Sequence, residues 1–226
     1  MNFANVKKLM CPEGEVVKIE AGGAVLWQRR KYKRELAFLE STGTQWIDTG
    51  LPLTQSNAVE MRISHFLQSK SQIMFGSRSS ATQNNFSVLF GNVGSVMSLV
   101  LDFCDYKDNR LAYVIDGDEN VEISVSNKKL KINDMERAVS KYSDFVTPGN
   151  AYLFNGYGSY PSGYAKASAR LYECRIYDEK EMVRNFIPVL DWNDVPCLYD
   201  KANDQLHYNQ GSGKFLYGEL GANENG

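Results

Sequence analysis

Long apolar runs are missing from this chain, and histidine is almost missing. No uninterrupted apolar stretch approaches the roughly 18 residues that a membrane-crossing helix requires, so membrane insertion by a helix is not expected. Only His65 and His207 occur in 226 residues, and neither has a second ligand at zinc-binding spacing. The same scarcity leaves no Ser-His-Asp or Cys-His arrangement to suggest nucleophilic catalysis. Neither sign of charge is in excess: the net charge is −2, which gives no reason to expect nucleic acid as a partner. Behind Lys7 and Lys8 the first residues lack the apolar core of a secretory signal, so none is expected unless it was removed upstream. The four cysteines, Cys11, Cys104, Cys174 and Cys197, include no C-x-x-C pair. Buried free thiols acting as small apolar residues are expected, with a Cys174–Cys197 disulfide as the alternative.

What is present is aromatic and strand-forming. Thirteen tyrosines and eleven phenylalanines stand beside only six prolines, a balance that suits β-structure. The clearest alternation runs from Ala169 to Asp191. Tyr172, Cys174 and Ile176 read as one face, and Leu171, Glu173, Arg175 and Tyr177 as the other, which predicts a half-buried strand. Asp178 to Glu181 reads as a turn and Met182 to Val189 as the return strand, with Pro188 expected at its end or at a sheet edge.

Similar signals recur along the chain. A hairpin is predicted over Val16 to Gln28 around Ala21-Gly22-Gly23. The basic run from Arg29 to Arg34 reads as a solvated linker rather than an anion-binding patch. Strands are predicted in LAFLE and QWIDTG, then over Ala58 to Leu67, where His65 falls in line with Val59, Met61 and Ile63 as a core or edge residue. Further strands are expected over 72–78, 84–92, 96–104, 110–115, 121–126, 130–132 and 151–155, and in CLYD and QLHYN near the C-terminus. Met135 to Tyr142 and Glu179 to Arg184 invite a single helical turn each. Many short strands with frequent turns and no βαβ pattern predict a two-sheet antiparallel sandwich. Residues 1–34 are expected to form an appendage and residues 35–226 the β-domain.

Four stretches carry a family resemblance: LAFLESTGTQWIDTGL (36–51), ISVSNKKLKIND (123–134), RIYD…VRNFIPV (175–189) and VPCLYDKANDQLHYNQGSGKF (195–215). In this order they resemble concanavalin A-like lectin/glucanase (laminin-G-like) jelly rolls, in the versions found in phage and prophage structural proteins of gut bacteria. The resemblance implies an all-β, two-sheet jelly roll. It raises glycosidase activity, but the alternate-position carboxylates E-x-D-x-x-E that such enzymes carry on one strand are absent; the acidic run Asp116 to Glu122 reads as a turn. It also raises a rim calcium, for which Asp102, Asp105 and Asp108, or Asp116 and Asp118, would supply oxygens unless they cap local turns.

For sugar recognition, Tyr157, Tyr160 and Tyr164 on the glycine-rich loop 156–164 are candidates, with Asn155 and Ser159 adjacent. Trp46 and Trp192 are further candidates, each of which could instead be packed. Val17, Ile19, Leu26 and Trp27 give the N-terminal hairpin apolar groups on both faces, which a lone hairpin cannot bury. That predicts an assembly contact with identical subunits, as in a homotrimer, or with other virion proteins. The expectation is a non-enzymatic virion module, made in the host cytoplasm, for attachment to cell-surface polysaccharide; a purely structural adaptor is the alternative.

Overall fold

The computed structural model describes residues 9–11, 14–16, 18–21, 24–28, 30–64, 70–115, 119–160 and 164–220. Near the N-terminus β1 (Leu9–Cys11) pairs with β2 (Gly14–Val16), and β3 (Lys18–Ala21) with β4 (Ala24–Gln28), both antiparallel. The backbone of the expected hairpin is therefore present. Val17, Asp116, Asp118 and His65 lie outside the described residues, as do the side chains of Leu26 and Trp27.

The sandwich follows. Its strands are β5 (Arg34–Thr42), β6 (Ile47–Thr54), β7 (Asn57–Ser64), β8 (Gln72–Ser80), β9 (Gln83–Val93) and β10 (Val96–Cys104). After these come β11 (Arg110–Val114), β12 (Val121–Val125), β13 (Lys129–Ile132), β14 (Met135–Ala138) and β15 (Val146–Leu153). Two short strands, β16 (Tyr157–Gly158) and β17 (Ala165–Lys166), precede β18 (Ser168–Asp178) and β19 (Glu181–Leu190). The chain ends with β20 (Pro196–Asp200), β21 (Gln205–His207) and β22 (Leu216–Glu219).

One sheet has the order β11-β10-β9-β8-β15-β6, with β16 and β17 added to β8. The other has the order β14-β13-β12-β7-β18-β5-β19-β20-β21, with β22 on β5. All pairings are antiparallel except those of β16 and β17. The fold is an all-β, jelly-roll-like sandwich. Its core is a ladder of edge-on rings, Phe75–Phe86, Phe86–Phe103 and Phe103–Phe145, from the first sheet and the segment before β15. These share one buried cluster with Leu39, Ile63, Leu171, Cys174 and Phe186 of the second sheet. Each such side chain contributes about 1.5–3 kcal/mol by leaving water.

Several expectations need correction. Leu171 does not share a face with Glu173, Arg175 and Tyr177: it is fully buried beside Cys174 and Ile176. The register of β18 against β7 slips between Leu171 and Glu173, so one extra residue moves Tyr172 outward and keeps both flanking segments core-facing. Met135–Ala138 is a strand, not a helical turn, because Asn133, at φ 50°, and Asp134 close a two-residue hairpin onto β13. Glu179 and Lys180 do the same between β18 and β19.

Pro188 sits inside the sheet, paired with Leu198. On its other side the β18 pairing ends at Phe186 and the β5 pairing begins at Val189, so its missing N–H falls at a change of partner. Cys174 and Cys197 are free and buried, in clusters on opposite faces of the sheet, which rules out the alternative disulfide. Burial pushes both thiols up, Cys197 to about 12, and leaves them unreactive.

In the basic run Lys31, Lys33 and Arg34 are exposed to solvent and at the same time paired with acids. Lys31 pairs with Asp204, Lys33 with Asp194 and Arg34 with Glu219. Between them Tyr32, only 7% exposed, lies 4.9 Å from the Tyr199 ring. Each cation meets an acid from the distant C-terminal part of the chain, which local composition could not reveal.

Candidate functional site

Strand alternation builds an aromatic corner on the outer face of the β6–β15 edge. In the segment entering β6, Ile47 and Thr49 point inward, which turns Asp48 outward, while Trp46 is half-buried with its ring against the edge of the core. In β15, Ala151 and Leu153 are buried, which turns Tyr152 outward. The register pairs Asp48 with Tyr152 and brings the Trp46 and Tyr152 rings to 4.4 Å at 45°. Tyr157, on β16, closes the corner 5.7 Å from Tyr152 at 84° and is 39% exposed. Gly149 makes room for it, since a Cβ there would lie 2.6 Å from the Tyr157 ring.

The polar floor is Asp48 and Asn150. The Asn150 amide donates to Asp48 Oδ2 at 3.3 Å, and the Gly50 N–H donates to Oδ1 at 2.8 Å. Burial raises the pKa of the Tyr152 hydroxyl, and the Asp48 carboxylate and Tyr157 raise it further, so it stays a donor at neutral pH.

Trp46 is held by the loop after β21. Its backbone N–H donates to Asn209 Oδ1 at 3.1 Å, and its backbone carbonyl accepts the Gln210 N–H at 2.8 Å. Gly211 lies under the ring, where a Cβ would come 2.0 Å from the Thr44 carbonyl oxygen and 2.9 Å from Trp46 Cδ1. Two of the four resemblance stretches thus clasp one another around this tryptophan.

The remaining candidates lie elsewhere. Tyr160 and Tyr164 lie on the outer face of the same sheet, over a small cluster of Ile73, Leu89 and Val100. The Arg78 guanidinium sits 4.1 Å from the Tyr160 ring centroid, and the Tyr160 hydroxyl meets Ser87 Oγ at 3.1 Å. Arg78 Nε donates to the Ser159 carbonyl at 2.9 Å, which ties the loop to β8. Asn155 is partly exposed at the start of this loop. Trp192 follows β19 in the other sheet, and its Nε1 donates to the Arg30 carbonyl. Sequence reading missed Tyr152, Asp48 and Asn150. The alternation in A-Y-L and W-I-D marks them as outward, but only the long-range register joins them.

Of the aspartates suggested for calcium, Asp102 and Asp105 are engaged by the protein itself, and Asp116 and Asp118 lie outside the described residues. Asp102 is fully buried, and both its oxygens accept from Arg110, at 2.7 and 2.8 Å. Asp105 caps its own turn by accepting the Lys107 N–H, and the Asp108 and Asn109 N–H groups bond its carbonyl. Among the described residues no group of three His, Cys, Asp or Glu is placed to hold a metal ion.

The other sheet carries a groove of about 370 Å³ across β13, β12, β7 and β18, with Glu60, Arg62, Glu122, Lys131 and Glu173 on its walls. Arg62 stands opposite Glu122 and Glu173 in register, yet its guanidinium lies 4.3 Å over the Tyr172 ring. Charges alternating in sign across strands are the ordinary dress of an exposed sheet, and this groove offers no open aromatic face.

No family model matches the sequence, and no curated protein matches it. Among solved structures the chain is similar to a crystal structure, at 1.50 Å resolution, of a candidate carbohydrate-binding protein from Bacteroides ovatus ATCC 8483. The TM-score is 0.55 at 11% identity, over 86% of this chain and 62% of that one. This chain therefore spans less than two thirds of that protein's length, and at such identity the likeness establishes the β-sandwich fold.

Proposed function

We propose that this chain is a non-catalytic glycan-binding module whose site is the corner formed by Trp46, Tyr152 and Tyr157. The observation that carries the reading is the meeting of three aromatic rings, two half-buried and one exposed, beside a carboxylate hydrogen-bonded to an amide. Sugar rings present apolar C–H faces that stack on aromatic side chains, and hydroxyls that need paired donors and acceptors. The clasp fixes the Trp46 backbone before binding, which lowers the ordering cost. The structural neighbour described as a candidate carbohydrate binder supports this reading.

The setting we propose is the surface of a phage particle, where the module serves attachment and the N-terminal hairpin makes the assembly contact, in a homotrimer or with other virion proteins. That setting rests on the resemblance of the four ordered stretches. The binding test is calorimetry of the full chain against an oligosaccharide panel. Trp46→Ala and Tyr157→Ala should each weaken binding about five- to ten-fold, because ring stacking contributes about 1–1.5 kcal/mol, while Trp192→Ala should not. Binding unaffected by the first two changes would refute the assignment. Incubation with β-glucans should release no reducing ends.

A further inference from the structure

We infer that the corner selects neutral, conformationally free glycan chains of hexose or N-acetylhexosamine units, and rejects acidic polysaccharides and crystalline polymer faces. This rests on the glycan-binding reading of the same site. The first ground is ring geometry. A crystalline polysaccharide presents a flat face, which calls for aromatic rings lying in one plane and spaced along the chain. Here neighbouring rings meet at 45° and 84° with centroids only 4.4 and 5.7 Å apart. Such rings cup one sugar or a bent chain and cannot all lie against a plane.

The second ground is charge. The corner holds the Asp48 carboxylate, whose two oxygens each take one protein donor, from Gly50 and Asn150. A carboxylate oxygen accepts more than one hydrogen bond, so Asp48 retains acceptor capacity for sugar hydroxyls or an acetamido N–H. Asn150 spends one N–H on Asp48, which leaves its other N–H and its Oδ1 for a ligand. A uronate or sulfate placed here would be brought against Asp48, whose hydrogen-bond donors Gly50 and Asn150 and strand partner Tyr152 carry no positive charge. A guanidinium beside the corner, Arg184, is already committed: Nε to the Thr49 carbonyl, Nη1 to the Val183 carbonyl, Nη2 to the Gly50 carbonyl, and an ion pair of 3.6 Å to Asp200.

The test uses the full chain with soluble neutral glucan and N-acetylhexosamine oligomers, uronate oligomers, and suspensions of crystalline cellulose and chitin. Calorimetry is run at low and high sodium chloride. Neutral oligomers should bind with an affinity that changes less than about two-fold with salt, since no ion pair is made for salt to screen. Uronate oligomers should bind at least about ten-fold more weakly, and Asp48→Asn should narrow that gap by removing the repulsion. Sedimentation with the crystalline polymers should leave the protein in solution. A preference for uronates that Trp46→Ala abolishes, or Trp46-dependent sedimentation with a crystalline polymer, would overturn this inference and leave the glycan-binding reading standing. No binding to any glycan would overturn both.

Discussion

Tyr160→Ala separates the two roles found among the loop tyrosines. The Tyr160 ring covers Ile73, Leu89 and Val100, lies under Arg78 and bonds Ser87 through its hydroxyl. That hydroxyl is desolvated enough for its pKa to be pushed up to about 12. Truncation of a fully buried aromatic costs about 3–5 kcal/mol. The ring is only partly buried, but it also carries a cation–π contact and a hydrogen bond, so about 2–3 kcal/mol is expected. In a chain of this length that lowers the melting temperature by roughly 5–10 °C. Tyr160→Phe keeps the ring under Arg78 and should cost about 1 kcal/mol, the net value of one hydrogen bond. Tyr157→Ala, on a ring that is 39% exposed, should cost only about 0.5 kcal/mol while weakening glycan binding. Urea unfolding of the three variants, read as midpoint shifts at constant slope, measures all of these. If Tyr160→Ala unfolds at the wild-type midpoint, the ring does not hold the loop to the sheet. If Tyr157→Ala is the more damaging change, the corner is packing rather than a site.

Three further outcomes follow from other contacts. Asp102→Ala should destabilise by about 3 kcal/mol, because it leaves Arg110 half-buried without its bidentate partner; calcium should not raise the wild-type melting temperature, and a rise would contradict the structural role of these aspartates. Deleting residues 1–29 should leave the unfolding midpoint in place while changing the mass seen by light scattering, whereas deletion through residue 34 should cost at least about 2 kcal/mol by removing buried Tyr32; equal midpoints would show that the docked run adds nothing. The Tyr199 hydroxyl, and after it Lys31, hold the Asp204 carboxyl below the usual carboxylate range. A depressed folded-state value means stability present above the unfolded value of about 3.9 and lost as pH falls through the folded one. Asp204→Asn should therefore flatten the acid limb below about pH 4, and an Asp204 titration midpoint in the folded protein at or above that value would refute the contact.

The fold was legible because strand alternation is local: V-E-M-R-I, R-I-Y and A-Y-L each declare an inner and an outer face within a few residues. The bulge at Tyr172 was not, since an extra residue shifts the face without changing residue type. Trp46 and Tyr157 stood out as aromatics beside turns. Tyr152 did not, because a tyrosine inside a strand reads as packing until its neighbour is known, and Asp48 is about one hundred residues distant in sequence. The loop tyrosines misled in the opposite sense. Glycines and Pro161 conceal the short parallel pairings to β8 that press Tyr160 onto the sheet. Charge pairing followed the same rule, with Lys31, Lys33 and Arg34 matched only by acids more than 150 residues away.

The most direct test of the glycan-binding corner is a nitrogen–proton spectrum of the three tryptophan indoles during titration with a soluble neutral oligosaccharide. Trp27, Trp46 and Trp192 give three indole signals. The Trp46 indole should shift progressively to saturation, while Trp192, whose Nε1 is bonded to the Arg30 carbonyl, keeps its position. A Trp46 signal that stays fixed while the oligosaccharide binds, or a shift confined to Trp192, would contradict the placement of the site.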